Sequence, residues 1–190
     1  ERIFTPLGMN ETGFFVREDQ AARFATNYTL HADGKFVLQD RASESPFLKA
    51  PKYQSGGGGL VSTMDDYAKF AQAMLQGGVL GDERILQEAT VTTMMTNHLD
   101  DDDKYFFPWD RDGQIRFGYG GNVVVKDSPE GSFDGYSVGQ WGWSGMARTH
   151  FFIDRPNKAF GIIMLQQFQA EDPALHDAFR AKAMQRSSAQ

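Results

Sequence analysis

Residues 140–165 constrain the fold of this chain more than any other stretch. The segment Gln140–Asp154 reads as two strands joined by a turn, and the apolar run Ala159–Leu165 follows it at strand length. Glycines lie within the first strand, where they lower strand stability and often mark the close approach of another backbone or a ligand. A glycine-bearing strand edge also offers backbone N–H groups, which are the donors that stabilise an oxyanion. The stretch therefore predicts antiparallel strands and one half of an acyl-transfer site.

Composition restricts the chain to a few classes of protein. Its 190 residues are 41% hydrophobic and 13% aromatic, which is enough for one sizeable core. The formal net charge is −6 and there is no Lys/Arg-rich run, so a nucleic-acid partner is not expected. No apolar stretch approaches the roughly 20 residues needed to cross a bilayer, so no membrane span is expected either. Cysteine is absent, and neither the redox compartment nor the localisation can be inferred.

Helix signals occur in three places. Thr63 with Asp66 fits a capping box, and an apolar face follows at helical spacing until the glycine pair at 77–78. The members of this face are Tyr67, Phe70, Ala71, Met74 and Leu75. A second helix is predicted over about 87–97. A third helix is predicted after Asp172 as N-cap and Pro173 as first residue, with an inner face made of Leu175, Ala178, Phe179 and Lys182.

The order of these elements predicts an α+β fold. Residues 1–110 form a loop-rich and helical part, in which 13–54 alternates short apolar runs with turn residues. Residues 111–190 contain short segments separated by turns, which are typical of antiparallel strands, and then the closing helix. Helices are expected to pack on the sheet. Because no linker or repeat interrupts the sequence, we expect one domain.

Several residue patterns favour a structural interpretation over a functional one. The acidic run at 100–103 could hold a cation, but consecutive aspartates diverge, and a solvated loop is favoured. The glycines at 56–59 lack the lysine of a phosphate-binding loop. His150 lies within a strand, where a hydrogen-bonded structural role is favoured over a general base. We therefore expect no metal and no cofactor. A core position is slightly favoured over an acyl pocket for four aromatic residues: Phe106, Phe107, Trp109 and Trp141.

Four motifs in a fixed order give the chain a family resemblance. They are Ile3–Met9 with its Pro-Leu-Gly-Met ending, Gly58–Thr63 followed by Asp66, Tyr67 and Phe70, then Phe117–Gly120, and finally Trp143-Ser-Gly145 followed by Thr149-His150 and Ile153-Asp154. Together they resemble the serine beta-lactamase and penicillin-binding-protein superfamily, in particular its carboxylesterase branch, family VIII, with class C-like topology. The resemblance runs from residue 1 to about residue 186.

The resemblance implies that the chain is the C-terminal part of a beta-lactamase-like fold, an antiparallel sheet flanked by helices. In that family the nucleophile is the serine of Ser-x-x-Lys, helped by the tyrosine of Tyr-x-Asn, and both motifs precede the Pro-Leu-Gly-Met signature. No serine of this chain has a lysine three positions later. The N-terminal strands and the nucleophile helix are therefore expected in a missing half, and the chain alone is expected to be inactive.

The resemblance also implies roles for the third motif. The backbone N–H of Met146 would be one of two oxyanion donors, while Trp143, Ser144 and Gly145 would contact the substrate. Trp143 occupies the position of a lactamase lysine that attracts the substrate carboxylate, so small-molecule esters are favoured over anionic lactams. The implied activity is the hydrolysis of an acyl ester through an acyl-enzyme.

Alternatives stay open at this point. The same scaffold supports amide hydrolysis of the beta-lactamase or D-amino-peptidase type, and a non-catalytic interaction module is a further alternative. Residues 142–146 nearly match Gly-x-Ser-x-Gly, which would make Ser144 a nucleophile, but the second glycine is one place early and no strand–turn–helix context is predicted. The apolar strand at 160–165 would leave an exposed edge, so we expect it to pair with the missing N-terminal half, a second copy or another segment.

Overall fold

The computed structural model of the chain describes residues 1–31, 33–100, 113–128, 134–168 and 173–187. The helices in this part are α1 (Met64–Leu75), α2 (Glu88–Met94) and α3 (Pro173–Ser187), and short 3-10 helices lie at Glu18–Arg23, Ala42–Glu44 and Pro46–Leu48. None of the described helices combines the length and apolar character that a membrane span requires. The strands are β1 (Asn27–Leu30), β2 (Phe36–Asp40), β3 (Val79–Leu80), β4 (Glu83–Arg84), β5 (Ile115–Phe117), β6 (Asn122–Val124), β7 (Trp141–Ser144), β8 (His150–Asp154), β9 (Ala159–Ile163) and β10 (Gln167–Phe168).

The chain divides into two compact units, each with its own sheet. Unit 1 contains the described residues of 1–70, 144–149 and 164–171, and unit 2 contains those of 71–143, 150–163 and 172–190. In unit 1, β1 lies between β2, to which it is antiparallel, and β10, to which it is parallel. In unit 2, five strands form a sheet in the order β5-β6-β7-β8-β9, and β3 pairs separately with β4.

The hairpin of unit 1 is a feature that the sequence did not predict. Thr29 of β1 lies opposite Val37 of β2 within the stretch expected to be irregular. Phe36, Val37 and Leu38 are consecutive and all exposed. A strand whose apolar residues are exposed on both faces has no alternation of apolar and polar residues, and alternation is the signal by which a half-buried strand is recognised.

The Pro-Leu-Gly-Met signature forms a tight turn at the start of unit 1. Leu7 and Met9 are buried, and Gly8 between them has a φ of +62°, in the left-handed region. The Leu7 N–H donates to the Ile3 carbonyl at 3.1 Å, and the Met9 N–H donates to the Phe4 carbonyl at 2.8 Å. The glycine therefore ends a single helical turn and allows both apolar neighbours to enter the core.

The predicted bounds of α1 are confirmed. The Asp66 N–H donates to Thr63 Oγ1 at 3.3 Å, as in an N-cap, and Gly77 has a φ of +72° just after the helix. The second half of the capping box is missing, because the Asp66 carboxylate has other partners. It accepts from the Glu11 N–H at 2.7 Å and from the Thr12 hydroxyl at 3.0 Å. Asp66 thus joins the start of α1 to the segment after the signature turn.

The second predicted helix is too long by about three residues at its C-terminal end. α2 covers Glu88–Met94 rather than 87–97. Asn97 closes a local turn, since its Oδ1 accepts the Leu99 N–H and its Nδ2 donates to the Leu99 carbonyl, both at 3.0 Å. An asparagine side chain that bonds its own backbone competes with helix formation, and apolar spacing does not detect this competition.

The five-stranded sheet confirms the predicted α+β class with an antiparallel sheet. The pairs β5–β6, β6–β7 and β8–β9 are antiparallel in their recorded registers. The side chains of Trp141, Phe152 and Ile153 are buried in this unit. Within the described part of the chain, β9 pairs only with β8, so the second edge of β9 has no strand partner there.

The glycine within β7 serves the close approach of a neighbouring strand. A Cβ placed on Gly142 would collide with the carbonyl oxygen of Phe151 in β8. On the other side, a Cβ on Gly121 would lie 2.8 Å from the Gly142 carbonyl oxygen. Backbone atoms cannot rotate out of the way as side-chain atoms can. The glycine predicted to mark a close approach therefore accommodates backbone at this position.

The predicted inner face of α3 is correct for Leu175 and Phe179 and wrong for the other two residues. Ala178 and Lys182 are exposed, whereas Arg180 and Met184 are buried. Phe179 does pack inward, with its ring 6.2 Å from that of Phe152. Apolar spacing does not detect a buried arginine, so Arg180 was not included in the face. Asp172, the predicted N-cap, lies outside the described residues.

Candidate functional site

The strand β7 changes from buried to exposed along its length. Its first two residues are buried, whereas Trp143 is 37% exposed and Ser144 is exposed, as is Gly145 after it. The Trp143 ring packs edge to face on Phe117, with centroids 5.1 Å apart. The residues that the sequence predicted to contact a substrate are therefore consecutive and accessible at the end of this strand.

A tight turn follows β7. The Gly145 N–H donates to the Thr149 carbonyl at 2.8 Å, and the Arg148 N–H donates to the Gly145 carbonyl at 2.9 Å. A Cβ at position 145 would collide with Thr149 Oγ1. Glycine therefore suits this position for a packing reason as well as for any approach of a ligand.

Two hydrogen bonds hold this turn against β10. Arg148 Nη1 donates to Gln167 Oε1 at 3.0 Å, and the Gln167 N–H donates to the Ala147 carbonyl at 3.2 Å. Arg148 has a φ of +62°, a conformation that costs a non-glycine residue about 1–2 kcal/mol. The side-chain bond to Gln167 helps to offset this strain.

Met146 occupies the second position of the turn closed by Arg148 and Gly145. Its side chain is 70% exposed. Within the described residues its N–H has no hydrogen-bond acceptor, unlike the N–H groups of Gly145 and Arg148 on either side. An N–H without an acceptor can donate to water or to a developing oxyanion.

Ser144 does not lie in a nucleophile elbow. An elbow requires a strand, a sharp turn and then a helix. Here β7 ends at Ser144 and the turn leads into β8. The arrangement is strand–turn–strand, so the near-match of 142–146 to Gly-x-Ser-x-Gly has no elbow around it.

His150 is a buried, hydrogen-bonded histidine, as predicted. Its Nε2 lies 2.9 Å from Arg180 Nη2, and its ring stacks on that of His176 at 4.7 Å between centroids. Burial lowers the pKa of His150 to about 2, and the neighbouring Arg180 and His176 add to this effect. The imidazole is therefore uncharged near neutral pH and does not have the basicity of a general base. His176 is half-buried against it.

A polar network around Arg180 was missed by the sequence analysis. Arg180 is 2% exposed, bonds Gln140 Oε1 as well as His150, and lies 4.1 Å from the Tyr136 ring centroid. Gln140 Nε2 then donates to Asp154 Oδ2 at 2.9 Å. The network joins α3 to β8 and to the residue before β7. No sequence signal reveals it, because its members are polar and far apart in the chain.

Other residues considered in the sequence can now be placed. Trp141 is buried and packs on Phe151 at 5.3 Å between centroids, which makes it a core residue. The glycines at 56–59 form a turn in which the Gly59 N–H donates to the Ser55 carbonyl at 2.9 Å. In the parts of the chain that the structure describes, no cluster of three His, Cys, Asp or Glu residues could hold a metal. The remaining residues lie outside the described part: Asp101, Asp102, Asp103, Phe106, Phe107 and Trp109.

A cleft of about 930 Å³ lies elsewhere in unit 2, lined by α1, α2 and the turn after β8. Its most prominent charged group is Arg155, which donates to the Leu75 carbonyl at 3.3 Å, to Thr92 Oγ1 at 3.2 Å and to Glu88 Oε1 at 2.9 Å. The guanidinium thus joins the two helices. None of residues 143–146 is among the residues that line this cleft.

The family of the chain follows from its match to known sequences. The family model described as Beta-lactamase matches residues 1–185, and the chain belongs to that family. An uncharacterized protein of Mycobacterium tuberculosis is 32% identical over 157 residues, which are 81% of this chain and 39% of that protein. The chain therefore spans about two fifths of the length of this relative.

Solved structures show the same fold. A simvastatin synthase from Aspergillus terreus matches 99% of this chain and 48% of its own, with 21% identity and a TM-score of 0.73. EstCE1, a hydrolase with promiscuous acyltransferase activity, matches 96% of this chain and 48% of its own, with 20% identity and a TM-score of 0.70. The chain thus has a beta-lactamase-like fold and spans about half the length of these proteins.

Proposed function

We propose that this chain is the C-terminal half of a serine hydrolase that cleaves small-molecule esters through an acyl-enzyme. The observation that carries the proposal is the N–H of Met146, which has no acceptor among the described residues and directly follows Trp143-Ser-Gly145. A backbone donor aimed at the oxygen that becomes negative lowers the barrier to acyl transfer. In this proposal Met146 supplies one oxyanion donor and the N–H of the nucleophilic serine supplies the other.

Trp143 favours an ester over an anionic lactam as substrate. The indole has no positive charge with which to hold a carboxylate, and it presents a partly exposed apolar face. Phe117 packs against it edge to face and extends the apolar surface. We therefore assign Trp143, Ser144 and Gly145 to substrate contact, with the apolar group of the ester on the indole.

The nucleophile is proposed to come from the other half of a longer protein. The chain spans about half the length of the similar structures and contains no Ser-x-x-Lys. The edge of β9 that has no partner in the described part offers backbone N–H and carbonyl groups for a further strand. We propose that the N-terminal half supplies both that strand and the serine, and that this chain alone is inactive.

The first experiment is intact-mass measurement after treatment with a fluorophosphonate, which labels activated serines. We expect no label on the 190-residue chain and one label per molecule on the longer protein that includes the N-terminal half. The Ser144→Ala variant of the longer protein is the matched control, and it should take up the same single label. A label on the 190-residue chain that disappears in Ser144→Ala would instead identify Ser144 as the nucleophile and overturn the proposal.

A second experiment separates ester hydrolysis from amide hydrolysis. The longer protein is assayed on p-nitrophenyl butyrate and on a chromogenic cephalosporin under the same conditions. We expect turnover of the ester and little or none of the lactam. If the cephalosporin is the better substrate, the assignment of Trp143 to ester recognition is wrong, while the assignment of the chain to a serine hydrolase stands.

A further inference from the structure

An aromatic contact at the end of β5 joins Trp143 to a second apolar ring. Phe117 is the last residue of β5, and its ring packs on the Trp143 indole with centroids 5.1 Å apart and ring planes at 69°. Phe117 is half-buried and Trp143 is 37% exposed, so both rings are partly accessible. Edge-to-face pairs attract each other beyond the area that they bury. The two rings therefore form an apolar corner with two walls at nearly a right angle.

The backbone of Phe117 is held by two neighbouring segments. In the sheet, Phe117 lies opposite Asn122 of β6. In addition, its carbonyl oxygen accepts from the N–H of His98, a residue that follows α2, at 2.8 Å. A residue whose main chain is bonded in this way has little freedom to withdraw its side chain. The wall of the corner that Phe117 provides is therefore fixed by the main chain.

The turn after β5 is also fixed to the end of α2. The Tyr119 N–H donates to the Met94 carbonyl at 2.9 Å, and the Tyr119 ring stacks on that of His98 at 4.1 Å between centroids. The His98 ring bonds the Thr93 carbonyl through Nε2 at 2.7 Å. A Cβ on Gly118 would collide with the Met94 carbonyl oxygen, so the turn lies directly against the helix end. These contacts hold the strand end that carries Phe117.

We infer that Phe117 is a specificity-determining residue, which forms with Trp143 the corner that receives the acyl group of the substrate. The inference rests on the proposed function, because it adds a second wall to the surface that Trp143 offers to an ester. A fixed apolar wall selects acyl groups that reach it, since each methylene group that leaves water favours binding. An acetyl group has no methylene group, whereas a butyryl group has two. The corner therefore favours butyryl over acetyl esters.

The test measures kcat/KM of the longer protein on p-nitrophenyl acetate and on p-nitrophenyl butyrate, which have the same leaving group. The quantity compared is the ratio of the butyrate value to the acetate value. Phe117→Val removes most of the ring, and valine suits a strand. We expect Phe117→Val to lower this ratio about three- to tenfold, because the burial of two methylene groups is worth on the order of tenfold.

Phe151 provides a matched control in the same sheet. Its ring packs on the indole of Trp141 with centroids 5.3 Å apart and planes at 70°, but Trp141 is buried. Phe151→Val thus removes an equivalent contact away from the corner and should leave the ratio within about twofold of the original. An unchanged ratio in Phe117→Val, or an equal fall in Phe151→Val, would overturn the inference. If Phe117→Val does not give folded protein, Phe117→Leu should show a smaller fall, and an unchanged ratio there would have the same meaning.

A double-mutant cycle decides whether the two rings act together. In a Trp143→Ala background, Phe117→Val should lower the ratio less than it does in the original protein, because residues in contact that line one surface are coupled. Equal falls in the two backgrounds would show that the rings act independently, and the shared corner would be overturned.

The inference and the proposed function can fail separately. If the longer protein hydrolyses both esters and Phe117→Val leaves the ratio unchanged, only the role of Phe117 in specificity is overturned. If the longer protein hydrolyses neither ester and takes up no fluorophosphonate label, the proposed function is overturned and the role of Phe117 with it.

Discussion

In the turn after β7, the Met146 side chain is 70% exposed and its N–H has no acceptor in the described part of the chain. In the network of unit 2, Arg180 is 2% exposed and its guanidinium bonds two buried side chains, Gln140 and His150. The first region has a backbone donor without an acceptor, which the proposed function assigns to the oxyanion. The second region uses its polar groups on one another. An N–H without an acceptor is suited to binding a ligand, whereas buried side chains that bond one another are suited to holding secondary-structure elements together.

The largest expected effect is on catalysis at the turn. Met146→Pro removes the N–H, and proline suits the second position of a turn, so the backbone shape should persist. We expect kcat of the longer protein to fall about 100- to 1000-fold with little change in KM. Met146→Ala keeps the N–H and should have nearly the original kcat. Equal kcat values for the two variants would remove Met146 from the oxyanion site.

Disrupting the network around Arg180 should lower the stability of the protein. Arg180→Met keeps the apolar stem but leaves Gln140 and His150 without their donor. We expect the free energy of unfolding of the longer protein to fall by about 3 kcal/mol, since leaving a buried polar group unsatisfied costs about 1–3 kcal/mol. Urea unfolding measures this change. Lys182→Met should lie within about 0.5 kcal/mol of the original protein. A stable Arg180→Met protein would mean that solvent reaches the network.

The network should also make stability depend on pH. His150 has a folded-state pKa of about 2 against 6.5 when unfolded, so only the unfolded chain takes up this proton between those values. The contribution of neutral His150 to the free energy of unfolding is complete above about pH 6.5. It is lost as the pH falls, by up to about 1.4 kcal/mol per pH unit. Arg180 and His176, which face the ring, both oppose its protonation. Urea unfolding at pH 6.5 and at pH 5 gives the change in the free energy of unfolding between the two pH values. This change should be smaller for His150→Asn than for the original protein, and equal changes would contradict the prediction.

The smallest expected effect is at Gly145. The atom that a Cβ would meet there is Thr149 Oγ1, which can rotate away. Gly145→Ala should therefore lower the free energy of unfolding by only about 1 kcal/mol. Gly142→Ala meets a backbone carbonyl instead and should cost more. Thermal unfolding of the two variants compares them, and a larger loss for Gly145→Ala would show that the turn is packed more tightly than β7.

The elements that were predicted correctly are those with local signals. α1 begins after Thr63 and ends before Gly77, because a side-chain cap and a left-handed glycine act within a few residues. The end of α2 was missed because the Asn97 side chain bonds the backbone of Leu99. The hairpin β1–β2 was missed because Phe36 and its neighbours are apolar and yet exposed. Apolar spacing reports burial, and it fails where an apolar residue is not buried.

The turn after β7 and the network around Arg180 also differ in how far the sequence could reveal them. Residues 143–146 are consecutive, so a motif with a family resemblance was enough to propose them as a site. Arg180, His150 and Gln140 lie up to 40 positions apart and meet only after the sheet and α3 have formed. The helical pattern gave no reason to place Arg180 inside, because a charged residue is rarely buried. Only the partners of Arg180 in the folded chain explain why this arginine is buried.

The strained conformation of Arg148 would have a consequence for the energetics of the proposed acyl transfer. Its φ of +62° is maintained by the bond to Gln167, whose N–H in turn binds the Ala147 carbonyl, so three of the four turn residues, Gly145 included, are hydrogen-bonded in the resting protein. Water must reorient around a new negative charge, and that reorientation is a large part of the barrier in solution. A dipole already fixed in direction does not have to reorient. The turn would therefore meet the oxyanion preorganised, with its strain stored during folding rather than generated at the moment of reaction.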